Sequence, residues 1–265
     1  MIIVFTDSDG VLKDSKNPVS QEIIEVIKKA REDYGIVVIR ITGAPSHHLA
    51  DGLLVDRAFG ESGGVEVLPD GRIIVVPDAE VAVDALRLLK QLLGIAVDVH
   101  DGLAHTAYGT FGLEGVRHTT LTLFFGAHPL YPNFLTRADP DAIAALIQEF
   151  IDSYCLPLYM LRGSSHTYEY IDVGHHELMK KERTVNMILA DSVSNNIIYN
   201  RIYYLGDSGN DAGAMQLSEI IPVTFSNGTP QIQKIVTKRN GIMVEKPGPY
   251  GGSVEFFRRL IDGTL

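Results

Sequence analysis

The chain has 265 residues, 45% of them hydrophobic and 21% charged, and its 33 acidic against 23 basic side chains leave a formal charge of -10. That length buries a real core and can divide in two, while the acidic balance, with no basic run to offset it, argues against a nucleic-acid backbone or an anionic membrane surface as partner. A single cysteine, Cys155, excludes an internal disulfide and a multi-cysteine metal site, and its place at a helix end predicts a buried, inert thiol.

Residues 1–5 are an apolar, β-branched run that breaks at Thr6 into Asp7-Ser8-Asp9-Gly10. That order reads as a buried parallel strand delivering two carboxylates into a turn, the end at which open α/β sheets carry their chemistry. Two like charges at ~4 Å repel by about 4 kcal/mol at an effective dielectric near 20. Asp7 and Asp9 therefore call for a cation, a shared proton or wide solvent exposure. Ser20 is a plausible N-cap for a helix whose apolar stripe is Ile23, Ile24, Ile27 and Ala30, ended near Gly35. Residues 36–42 then form a second strand ending in the Thr42-Gly43 pair, and 57–62 a short third one. Residues 65–76 read as a hairpin around Pro69-Asp70-Gly71.

Between about 78 and 174 the order changes to helix, strands, helix, strands, which marks a separate α+β block. Asp78 or Asp84 begins a helix carrying Val81, Leu86, Leu89 and Leu93, and Asp139-Pro140 form an N-cap and first-turn pair for a second helix through Tyr154. Strands are expected at 118–125, 158–162 and 167–173. Beyond the block, Lys181 heads a stripe with Thr184, Val185 and Ile188 at i+3, i+4 and i+7, so it faces the sheet, whereas Lys180 heads no such stripe. Residues 202–205 form a strand ending in Gly206-Asp207-Ser208-Gly209-Asn210-Asp211, a second strand end armed with aspartates. Strands at 220–225 and 241–244 follow. The 246–251 segment is either a tight surface turn or a loop near the site's mouth, ahead of a final helix capped by Ser253. His47-His48 and His175-His176 are read as loop residues without a ligand role, because adjacent histidines of regular structure cannot both face one ion.

Taken together, Asp7-Ser8-Asp9-Gly10-Val11-Leu12, Thr42-Gly43, Lys181 and Gly206-Asp207-Ser208-Gly209-Asn210-Asp211 follow in order the four motifs of the haloacid dehalogenase (HAD) superfamily, which the chain resembles over almost its whole length. The likeness is to the Cof-like, sugar-phosphatase type. It implies an α/β fold: a Rossmann-like parallel sheet core flanked by helices, made of residues 1–77 and 175–265, with a C2-type α+β cap at 78–174. One departure from the pattern is Ala44, where many relatives carry arginine.

By that resemblance, Asp7 is the nucleophile that becomes an aspartyl-phosphate, and Asp9 is the acid and base that serves the leaving alkoxide and then water. Thr42, Gly43, Gly10 and Lys181 surround the phosphate. Mg²⁺ is the implied cofactor, with Asp7, Asp9 (through its carbonyl), Asp207 and Asp211 as the metal set. Such a pairing of cation and ammonium cancels the repulsion between a carboxylate and a phosphate dianion. The expected reaction is hydrolysis of a small soluble phosphate monoester, either a sugar phosphate or a phosphorylated hydroxy acid.

A phosphomutase of the phosphomannomutase type is the alternative; it needs a cap rich in arginines, and Arg87, Arg117, Arg137 and Arg162 are few. A non-enzymatic phospho-acceptor module has no use for a cap or for Asp9. Substrate choice is expected from polar cap residues, with Arg117, Arg162, Ser164, His166 and Tyr168 as candidates. No apolar run reaches spanning length and a strand begins at residue 2, so the expectation is a cytoplasmic monomer or homodimer with a small-molecule substrate and no nucleic-acid or membrane partner.

Overall fold

The computed structural model describes residues 1–14, 17–49, 55–99, 102–128, 136–164 and 168–265. Strand β1 (Ile2–Thr6) leads into helix α1 (Gln21–Tyr34), whose first turn is capped by the Ser20 hydroxyl and whose end is the left-handed Gly35. Val26 rather than Ile24 completes the buried face of α1. Strands β2 (Val37–Ile41) and β3 (Arg57–Gly60) extend the parallel sheet, and β4 (Val65–Val67) turns back antiparallel on β3 with β5 (Ile73–Val75) at its edge.

After the intervening block come helix α4 (Lys181–Ser194) and strand β11 (Arg201–Leu205), then the short helix α5 (Ala212–Met215). The chain finishes with β12 (Ile221–Phe225), α6 (Pro230–Lys238), β13 (Ile242–Val244) and α7 (Gly252–Ile261). The expected cap on α7 is corrected: left-handed Gly251 holds the N-cap, and the Ser253 hydroxyl instead donates to the Val11 carbonyl at 2.7 Å.

The order of the eight-stranded sheet is β13-β12-β11-β1-β2-β3-β4-β5. Chain direction along the order reverses at β1: the first βα unit winds to β2, and the returning chain enters at β11 on the other side. Open parallel sheets place ligands at the carboxyl ends of strands flanking such a reversal. Alternation along the strands sends Val4, Val38, Tyr203 and Leu205 into one core with Ile23, Ile27, Phe256 and Phe257. The opposite face receives Ile3 and Phe5, and next in that alternation comes Asp7.

Contacts divide the chain into two compact units, one of Met1–Ala44, His48–Ile74 and Lys180–Leu265, the other of Pro45–His47 and Val75–Met179. The second unit begins with helix α2 (Glu80–Leu92), preceded by a 3-10 turn at Pro77–Ala79, so neither Asp78 nor Asp84 caps it. Ala82 and Ala85 join Leu86 and Leu89 on its buried face, and Val81 is exposed. Strands β6 (Gly102–Thr106) and β7 (Gly109–Leu113), unforeseen in the sequence, precede β8 (Thr120–Gly126). Helix α3 (Pro140–Ser153), capped by the Asp139 carboxylate, leads to β9 (Leu158–Ser164) and β10 (Tyr168–His175).

These five strands form the antiparallel sheet β6-β7-β8-β10-β9, and α2 and α3 cover one face with Leu86, Leu89, Ile143 and Ile147 against Phe111, Leu123 and Ile171. Cys155 is exposed, contrary to expectation, because the chain leaves α3 through a left-handed residue at that position, φ 49°. Among the described residues no helix is long and apolar enough to cross a membrane.

Candidate active site

Asp7 follows β1 and Asp207 follows β11, neighbouring strands in register from Ile2↔Arg201 to Thr6↔Leu205, so two aspartates 200 positions apart meet at one sheet edge. The Asp7 amide donates to the Leu205 carbonyl at 2.9 Å, carrying the pairing past the last strand residue. Asp211 comes from the turn after β11. Carboxylate oxygens of Asp7, Asp207 and Asp211 lie within 4.8 Å of one another, the one such cluster among the described residues.

Lys181 starts α4, whose buried stripe Thr184, Val185 and Ile188 turns the lysine inward. Its Nζ, with the side chain wholly buried, sits 2.8 Å from Asp7 Oδ2 and 2.8 Å from Asp211 Oδ1. Lys180 is the preceding N-cap residue, so the register argument picks out the lysine that reaches the aspartates. Asp211 receives two further donors at Oδ2, the Asp207 and Ser208 amides, each at 3.1 Å, and a second donor at Oδ1, the Tyr204 hydroxyl at 2.9 Å. Four donors fill the lone-pair directions of its carboxylate. Asp211 is thereby fixed as the anchor of Lys181. Asp7 keeps more capacity: the Ser8 amide donates to Oδ1 at 2.7 Å, and Lys181 takes Oδ2.

One ammonium faces three carboxylates, and the protonation equilibria register the excess. Burial pushes the Asp7 carboxyl up to about 8, Asp211 adding to it and Lys181 opposing it. Burial, with Asp211 again contributing, pushes Asp207 up to about 7. Burial alone would lower Lys181, but Asp211 and Asp7 outweigh it and hold the ammonium above its ordinary range. Burial, then the charges of Asp211 and Asp7, raises the Tyr204 hydroxyl, keeping it a neutral donor. An all-oxygen cluster with two uncompensated negative charges fits a hard divalent cation such as Mg²⁺. Asp7 and Asp207, whose oxygens are less engaged than those of Asp211, could hold it.

The remaining predicted residues surround this centre to different degrees. Asp9 is exposed and turned out of the carboxylate cluster, with Lys13 Nζ at 3.9 Å. Thr42 is buried where β2 ends, and its Oγ1 accepts the Ala44 amide at 3.1 Å, which leaves the hydroxyl proton for another acceptor. Gly43 has open space: an added Cβ would meet nothing closer than Ser62 Oγ at 3.6 Å. Gly10 is the reverse case, since φ is +75° and a Cβ there would fall 1.9 Å from Asp207 Oδ2. Only glycine lets the turn after Asp9 lie against Asp207.

The specificity candidates lie in the second unit and are mostly engaged there. Arg117 is nearly buried, its Nε donating to the Glu114 carbonyl at 3.2 Å and its Nη1 to Thr120 Oγ1 at 3.2 Å. Arg162 pairs in register with Ile171, so it lies on the helix-covered face, where its guanidinium meets Asp141 of α3 at 2.7 Å and Glu169 at 3.4 Å. Tyr168, on the other face, packs tilted against the His128 ring with the centroids 4.5 Å apart. Ser164 ends β9, and His166 lies outside the described residues.

Several residues of the centre carried a signal that motif matching passes over. Tyr204 is a phenol inside a buried strand, whose hydroxyl must find a partner. Arg40 is a charge within the apolar run of β2; it is 1% exposed and its Nε donates to Ser8 Oγ, bracing the residue whose amide holds Asp7. Asn227, two residues beyond β12, also reaches the centre, its Nδ2 lying 3.4 Å from Asp207 Oδ2, but it carried no such signal.

No protein-family model matches the sequence, and no curated protein does. Solved structures do. A phosphatase of the haloalkanoate (HAD) superfamily from Bacteroides thetaiotaomicron superposes with TM-score 0.62 at 17% identity, covering 100% of this chain and 96% of that one. A trehalose-6-phosphate phosphatase related protein gives TM-score 0.64 at 13% identity, with 99% and 100% covered. A haloacid dehalogenase-like hydrolase from B. subtilis gives 0.59 at 14%, with 98% and 100% covered. The fold of this chain is that of the HAD-type hydrolases.

Proposed function

We propose that this chain is a Mg²⁺-dependent phosphatase that hydrolyses a small soluble phosphate monoester through an aspartyl-phosphate on Asp7. The observation that carries the reading is Lys181 held between Asp7 and Asp211 beside Asp207, where two strand ends meet. In this reading Asp7 and Asp207, with the Asp9 carbonyl, hold the cation, which supplies charge neutralisation on the phosphoryl oxygens when bound.

Asp7 Oδ attacks phosphorus, the ester P–O bond breaks, and the Asp9 carboxyl gives its proton to the departing alkoxide. Asp9, now a carboxylate, takes a proton from water as the water oxygen attacks the phosphoenzyme, returning Asp7 and releasing inorganic phosphate. Asp9 suits this work because its side chain stands out of the cluster, free to meet the substrate oxygen. Thr42 donates its hydroxyl proton to a non-bridging oxygen, Gly43 gives the phosphoryl group room, and Lys181 stabilises the charge opposite the cation. Asp211 keeps Lys181 in place, with Tyr204 and two backbone amides keeping Asp211 in place.

Sugar phosphates head the substrate classes to be tested, supported by the sugar phosphate in the name of one structural relative. The phosphomutase reading has less behind it: Arg117, Arg162 and Arg87 engage Glu114, Asp141 and Asp84 respectively. A panel of phosphate monoesters with Mg²⁺, scored for released phosphate, tests the proposal. Activity on at least one member is expected, lost on adding EDTA and in both Asp7→Asn and Asp207→Asn. Full turnover in EDTA, or in Asp7→Asn, overturns it.

A further inference from the structure

We propose that Asn227 is a positioning residue of this centre, its side-chain amide aiming the Asp207 carboxylate and tying it to the turn that follows Asp7; the inference rests on the reading of Asp7 and Asp207 as the cation site. Asn227 Nδ2 donates to the Gly10 carbonyl at 2.8 Å, and its Oδ1 accepts the Gly248 amide at 2.9 Å. A carbonyl on one side and an N–H on the other leave the amide one orientation. Its nitrogen, fixed in that way, lies 3.4 Å from Asp207 Oδ2, a long bond that biases the carboxylate without consuming it.

The surroundings make this connection specific. A Cβ on Gly248 would come within 2.6 Å of the Gly10 and Val11 carbonyl oxygens, so the 246–251 segment rests directly on the turn, and Ser253 adds its bond to the Val11 carbonyl. Three chain segments converge on one amide: the turn carrying Asp7 and Gly10, the strand end carrying Asp207, and the loop before α7. Asn227 touches no reacting atom. Its effect passes through the direction of Asp207, and so through affinity for the cation. Outer partners of ligating carboxylates typically carry 10- to 100-fold in metal affinity.

The test is a calorimetric titration of the purified full chain, stripped with EDTA, with Mg²⁺ alone, alongside phosphate release at limiting and saturating Mg²⁺. Asn227→Ala is expected to weaken Mg²⁺ binding about 10- to 100-fold, while kcat at saturating Mg²⁺ returns to within about threefold of wild type. Asn227→Ser, whose hydroxyl is too short to reach both partners, should behave the same way and serves if the alanine variant does not fold. Ser253→Ala removes a different anchor of the same turn and should lower the melting temperature with no change in Mg²⁺ affinity. An unchanged Mg²⁺ affinity in Asn227→Ala, or an equal loss in Ser253→Ala, overturns the inference while leaving the phosphatase reading intact. A wild-type chain that binds no Mg²⁺ brings both down.

Discussion

Removing the cation should make the stability of the aspartate centre fall as pH rises, opposite to the usual behaviour of native carboxylates. Asp7 and Asp207 are pushed from 3.8 to about 8 and about 7. With the folded value the higher one, the stability these groups contribute is complete below the unfolded value, near pH 4, and is lost as pH climbs through the folded values. Each proton held only by the folded state costs about 1.4 kcal/mol per pH unit. Two such protons give a limiting slope of roughly 3 kcal/mol per unit between pH 5 and 7, which levels off near pH 8.

With an unfolding entropy of about 2.1 cal/mol/K per residue, 1 kcal/mol shifts the melting temperature of a chain this size by about 2 °C. Thermal unfolding followed by circular dichroism in EDTA, at matched ionic strength, should therefore drop several degrees from pH 6 to pH 8. Mg²⁺ at one fixed concentration, 100 times its dissociation constant at pH 8, should restore about 2.7 kcal/mol there and less at pH 6, where protons compete for the same carboxylates. Other titrating groups contribute to the absolute curve, so the decisive quantity is the difference from Asp207→Asn, which should keep roughly 60% of the wild-type fall, since Asp207 levels off near pH 7 and Asp7 near pH 8. Identical pH slopes in wild type and Asp207→Asn, or Mg²⁺ stabilisation that ignores pH, would refute the argument.

Gly10→Ala sets a methyl group against Asp207 at a backbone angle that L-residues avoid; Mg²⁺ binding should be lost in the same titration while secondary structure by circular dichroism is kept. Asp9→Asn should lower turnover about 10²- to 10⁴-fold, and quenched single-turnover samples should contain a hydroxylamine-sensitive phosphoenzyme. Tyr204→Phe takes one of four donors from Asp211 and should cost about 1–3 kcal/mol in denaturant melts. Arg162→Ala breaks an exposed ion pair on the helix side of its sheet, and should leave the melting temperature essentially unchanged with no reordering of substrates in the monoester panel.

The parts of this molecule legible in its sequence are those fixed by strong local signals. Ser20, Gly35 and Asp139-Pro140 bracket their helices because capping is decided within four residues, and the i+3, i+4, i+7 stripe behind Lys181 turned one of two adjacent lysines inward. β6 and β7 escaped because glycines and polar residues interrupt their alternation; they become strands by pairing with each other and with β8. The Ser253 hydroxyl looked like a cap by position, but its partner is 242 residues away, and no local pattern reports such a contact. Arg40 and Tyr204 were visible as polar groups inside apolar strands, a signal that says a partner exists without saying which. Asn227 was not visible: an amide in a loop acquires meaning only when Gly10, Asp207 and Gly248 have been brought around it.

The pairing of β1 with β11 has a consequence for how the chain is made. β2 follows β1 within a few dozen residues, but the other edge of this central strand waits for Arg201–Leu205. At 5–20 residues per second, a ribosome takes roughly 10–40 s to travel from one to the other. The intervening second unit closes on local antiparallel contacts and can form first, while β1 keeps a bare apolar edge that invites mispairing. Asp7 has neither Lys181 nor Asp207 beside it until that wait ends. The centre is thus assembled only when β11 closes on β1, ahead of β12 and β13, and a chain stalled before residue 201 holds a hydrophobic strand in search of a partner.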